Sequence, residues 1–92
     1  MSKNVKEYNV EAVVVVSKCD KYRIGDKMVF LGSILDKEES NIVCCTALAA
    51  IYPLVCALRF GMDPQKWGHE DKIVTQCPDQ VCGVTFELKR IE

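Results

Sequence analysis

Residues 42–58 read "IVCCTALAAIYPLVCAL", a stretch without one charged side chain. How it is read decides the fold. A membrane-spanning helix needs about 20 predominantly apolar residues, and this run lies at the bottom of that range. Pro53 and the many small residues weaken a spanning reading, and nothing else in the chain looks membrane-bound. The stretch therefore reads as the buried helix of a small globular domain, with no membrane contact. The helix is expected from about Asn41 to Phe60. Ser40 or Asn41 would cap its start, and Gly61 stands where a left-handed C-terminal residue is needed. Pro53 lacks the N–H that would reach Ala49, which predicts a kink.

Outward from the helix, both ends of the chain read as strands. Residues 7–17, "EYNVEAVVVVS", alternate with period two. Val10, Ala12, Val14 and Val16 share one face, and the second face becomes apolar toward the end. "SKCDKYRIGDK" is a loop with a Gly25-Asp26 turn, and "KMVFLG" is a short second strand. The two predict a hairpin with a long connection. "DKEESN" is a charged surface loop, and "KIVTQ" reads as a short strand. In the last strand Val84, Phe86 and Leu88 face one way, Thr85, Glu87 and Lys89 the other. The order is β-β-α-(β)-β. It predicts an α+β domain spanning residues 1–92, with a small, mainly antiparallel sheet of three or four strands packed against one long kinked helix. The terminal strands, the longest, should pair.

At about 100° per residue the helix divides into stripes. Cys44, Leu48, Ile51, Val55 and Leu58 are mostly large and apolar and should pack on the sheet. Roughly opposite lie Thr46, Ala50, Pro53, Ala57 and Gly61, an uncharged face of small residues. With no second long helix to fill it, this face predicts a homo-oligomer. A third stripe holds Cys45, Ala49, Tyr52, Cys56 and Arg59. It reads either as boundary residues or as the wall of a pocket.

The chain has 92 residues, a formal net charge of −1 and no Lys/Arg run, which excludes the basic face of a nucleic-acid binder. The start "MSKNVKEYNV" has lysines but no apolar region behind them, so no signal peptide is read and a cytoplasmic location is expected. Thiols stay reduced there. The six cysteines, two of them adjacent at Cys44-Cys45, are accordingly read as free thiols or metal ligands.

The "VVVVSKC…YRIGDKMVF" block, the "CCTALAAIYPLVCALRFG" helix, Trp67 and the "CPD…VTFELKRI" ending together resemble a family of small, uncharacterised bacterial and archaeal proteins of about this length. The matching residues are Cys19, Gly25, Asp26, Cys44 or Cys45, Tyr52, Pro53, Arg59, Trp67, Cys77, Pro78 and Asp79. Tyr22 departs from the pattern, because the family commonly has His there. The resemblance implies a fold and a site location and brings no reaction with it.

Three function readings follow. The first is a cysteine-based metal-binding or redox protein with its site near Cys19, Cys44 or Cys45, and Cys77. These thiols, with His69, Cys82 or water, would suit zinc or an iron–sulfur centre. The second is a non-enzymatic oligomeric interaction module. The third is a small enzyme with a helix–sheet pocket formed by Tyr52, Arg59, Cys77 and Asp79. His69, between Gly68 and Glu70, reads first as a solvated loop residue. Cys77 is expected in contact with Cys19 and with Cys44 or Cys45, because their loops all flank strand ends.

Overall fold

The computed structural model describes residues 7–67, 72–77 and 83–91. Strands β1 (Asn9–Ser17), β2 (Lys27–Leu31), β3 (Ile34–Leu35), β4 (Ile73–Gln76) and β5 (Val84–Ile91) form an antiparallel sheet in the order β3-β2-β1-β5-β4. One α-helix, α1 (Cys45–Arg59), lies across it. The α+β class and the pairing of the terminal strands agree with the sequence. Among the described residues the strand count is five rather than three or four. The additional strand, β3, is two residues long and folds back on β2 through Gly32, whose φ of +61° suits a tight hairpin.

α1 begins at Cys45, later than the expected Asn41, and is assigned without a break across Pro53. Ser40 and Asn41 do not cap it. They serve the open side of β2 instead. Asn41 Oδ1 accepts from the Lys27 N–H at 2.9 Å, and Ser40 Oγ from the Val29 N–H at 3.0 Å. An unpaired strand edge is a stronger demand on nearby acceptors than a helix start that can be capped by other means. At the other end the expectation holds. Gly61 has φ +94°, its N–H donates to Leu58 O, and the Met62 N–H donates to Ala57 O. That pair of bonds is the Schellman arrangement. Arg90 of β5 adds a guanidinium bond to Met62 O at 2.7 Å.

The core lies between α1 and the face of the sheet carrying Val10, Ala12, Val14, Phe86 and Leu88, all 1% exposed or less. From the helix, Ile51, Val55 and Leu58 enter it as expected. Ala47 is buried at the helix start, while Leu48 only packs against the core. The small alanine lets the first helical turn come close to the sheet.

Val16 corrects the expected core: it is 49% exposed. Pairing of β1 with β5 runs Ala12↔Leu88, Val14↔Phe86, then Val16↔Thr85 and Ser17↔Val84, with a register shift between Val14 and Val16. Val15 is thus one residue too many, a β-bulge. Because side chains alternate with period two, one extra residue exchanges the faces of everything after it. Val16 turns away from the core and Ser17 takes its side. No helix among the described residues is long and apolar enough to cross a membrane.

Candidate functional site: a cavity lined by three thiols

The exchanged Ser17 organises the loop that follows. Its hydroxyl donates to Tyr22 O at 2.8 Å and lies 3.0 Å from Cys19 O; it also accepts from the Cys19 N–H at 3.2 Å. These bonds fold residues 18–22 back over the end of the sheet. Tyr22 is driven into the core, 5% exposed, with its ring edge-on to Phe86 at 5.6 Å. Its hydroxyl oxygen accepts the Cys44 N–H at 2.9 Å. Loop and helix start are joined at that point.

Cys77 arrives from the far side. Its N–H donates to Val84 O at 2.8 Å, which extends the β4–β5 pairing by one residue. The result is a cavity of about 120 Å³. It is lined by Cys19, Cys44 and Cys77, with Tyr22, Lys21 and Thr46 among the other walls. Cys19 of the first loop, Cys44 at the helix start and Cys77 thus border one cavity. Of the adjacent pair, Cys44 faces this cavity. Cys45 lies on the other flank of α1 and is exposed.

Cys44 is the N-cap residue of α1, with extended backbone. Its sulfur does not complete a capping hydrogen bond. The N–H groups of Ala47 and then Thr46 nonetheless lower its pKa below the ordinary thiol value, against a smaller opposing effect of burial, and the Lys21 ammonium adds to the lowering. This is the expected effect of a helix N-terminus on a thiol. Tyr22 moves the other way. Burial raises its pKa, the Cys44 N–H opposes that, and the nearby thiols of Cys44, Cys77 and Cys19 add to the rise. The site therefore favours a thiolate beside a neutral phenol.

The remaining candidates lie elsewhere. Cys45 and Tyr52 line a separate apolar groove of about 400 Å³ with Phe30, Leu35 and Leu48. Tyr52 is tilted against Phe30 at 6.2 Å. Its pKa is raised, first by a hydrogen bond with Cys56. Arg59, at the opposite end of α1 from Cys44, is bonded to Glu7 and sits over the Phe60 ring. Among the described residues, Tyr52 lines the groove and Cys77 the smaller cavity, and Arg59 lines neither. Asp79, together with Pro78, His69 and Cys82, lies outside the described residues.

Among the described residues no three His, Cys, Asp or Glu side chains are arranged to hold a metal ion. The zinc or iron–sulfur set of Cys19, Cys44, Cys45 and Cys77 is thus not assembled there. Cys45 points to the other flank, and the Tyr22 phenol stands among the other three. Sequence reasoning missed Ser17, Lys21 and Thr46 as site residues. In the sequence Tyr22 stands out only as the departure from a family His. No family model, curated protein or solved structure matches the chain.

Proposed function

We propose that the protein is a cysteine-based redox protein of a reducing compartment such as the cytoplasm. Cys44 is its reactive thiol, and Cys19 and Cys77 are the partner thiols. One observation carries the reading: three thiols from three separate segments line one cavity, with Cys44 at the helix N-terminus. A thiolate is the form that attacks electrophilic sulfur or oxygen, and a neighbouring thiol lets the product close as a disulfide. The test is alkylation of the reduced protein with iodoacetamide, site-resolved by mass spectrometry. Cys44 should react first among the thiols at neutral pH. Equal rates at every thiol would remove the reading.

A second reading is self-association through the small-residue face of α1, as a homo-oligomeric module. Thr46, Pro53 and Gly61 on that stripe are exposed. The two readings are compatible, because the stripe lies largely outside the cavity.

A further inference from the structure

The cavity has two properties that a general thiol site does not require. It is small, and it contains an unused hydrogen-bond donor. Its volume is about 120 Å³, space for a small molecule or several waters. The donor is Tyr22. Its oxygen is occupied by the Cys44 N–H, but among the described residues its own proton has no acceptor, although the residue is 5% exposed. A buried hydroxyl with a proton to give, next to a sulfur nucleophile, calls for an oxygen acceptor in the cavity. Lys21, exposed at the rim, is the one charged residue among the described walls, and it favours a negative oxygen.

On the reading that Cys44 is the reactive thiol, we infer that the cavity is a site for reducing a small hydroperoxide, hydrogen peroxide or a short alkyl hydroperoxide. The Cys44 sulfur attacks the terminal oxygen of ROOH. An S–O bond forms and the O–O bond breaks. Sulfur loses two electrons to the peroxide and becomes the sulfenic acid Cys44–SOH. The leaving RO⁻ accepts the Tyr22 hydrogen bond and takes a proton from solvent to leave as ROH. Donors placed where charge develops accelerate such a step more than they assist binding. The thiol of Cys19 or Cys77 then condenses with Cys44–SOH, forming a disulfide and releasing water. An external dithiol returns both sulfurs to the reduced state by exchange. The lowered pKa of Cys44 raises the share of attacking thiolate at any given pH.

The test mixes the fully reduced chain with hydrogen peroxide and follows peroxide loss and intact mass. Peroxide should disappear at least about tenfold faster than with free cysteine at the same thiolate fraction. The Cys44→Ser variant should lose the reaction. The double variant Cys19→Ser/Cys77→Ser should react once and stop as a sulfenic acid that dimedone traps. Tyr22→Phe should slow oxidation by a larger factor than it slows iodoacetamide alkylation of Cys44. Should that variant fold poorly, Lys21→Ala, at an exposed position, should slow oxidation by more than it slows alkylation, because Lys21 acts on the Cys44 thiol as well as on the oxygen. A Cys44 that alkylates fast but meets peroxide no faster than free cysteine overturns this inference and leaves the redox reading standing. A Cys44 that is slow toward both reagents overturns both.

Discussion

The Tyr22 hydroxyl accepts the backbone N–H of Cys44 at 2.9 Å, so a side chain of the first loop secures the start of the helix. Replacing Tyr22 with Phe leaves that N–H without its partner. The expected loss is about 1–3 kcal/mol in a denaturant titration. The sign of its pH dependence follows from burial. Tyr22 has a raised pKa in the fold, so the folded state prefers the neutral phenol. Its contribution is full below the unfolded phenol value of about 10 and is lost as pH rises through the folded value. The stability gap between wild type and Tyr22→Phe should therefore shrink on raising the pH above about 10. A gap that widens would contradict the burial of the phenol.

Cys44 has the opposite sign. Its pKa is lowered by the N–H groups of Ala47 and Thr46, so the thiolate is the form the fold prefers. Any stability it supplies is present above the unfolded thiol value and is lost as pH falls through the folded one. The direct measurement is the alkylation rate against pH. The midpoint for Cys44 should fall below the free-thiol value of about 8.5. A midpoint at or above that value would show that the helix start does not act on the sulfur.

The bulge makes two neighbouring valines respond differently. Val14 is 1% exposed and Val16 is 49% exposed. Val16→Lys should change stability by no more than about 0.5 kcal/mol. Val14→Ala should cost about 2 kcal/mol, from lost methyl groups and the space they leave. Thermal melts of the two variants give the comparison, and a larger loss at Val16 would refute the register.

Phe86 is fully buried, opposite Val14 and edge-on to Tyr22. Phe86→Ala should cost about 3–5 kcal/mol, a large part of what a domain of this size has. Because Tyr22 rests on that ring, the variant should also weaken the preference of iodoacetamide for Cys44. An unchanged melting temperature is the outcome that would refute this packing.

If the small-residue stripe of α1 joins copies of the chain, Ala57→Lys should reduce the mass measured by light scattering and leave the melting of the core in place. A native protein that scatters as a monomer excludes the association.

Much of this fold could be read from pattern. β1, α1 and β5 each keep one period long enough for their buried faces to be assigned, and Gly61 marks the helix end through a backbone need that few residues meet. β3 could not be read so, because Ile34 and Leu35 are too few to show a period. The helix start was misplaced for a different reason. Ser40 and Asn41 can cap a helix or complete a strand edge, and only the position of β2 decides between them. For the site, Cys19, Cys44 and Cys77 could be brought together in advance because loops at strand ends have few places to go. Tyr22 and Ser17 could not be assigned to it, since their roles depend on a bulge that leaves no mark in "AVVVVS", where every candidate residue is a valine.

That bulge sets the phase of the chain. Straightening the bulge with every residue kept would return β1 to an unbroken beat and let Val16 fill the core. Ser17 would then swing to the opposite surface, and the loop carrying Cys19 and Tyr22 would unhook from the helix. A single inserted residue thus acts as a half-turn coupling between two parts of the molecule, one that builds the scaffold and one that presents the thiols. Shortening the strand by Val15 would instead leave Val16 opposite Thr85 and Ser17 opposite Val84, and so keep both.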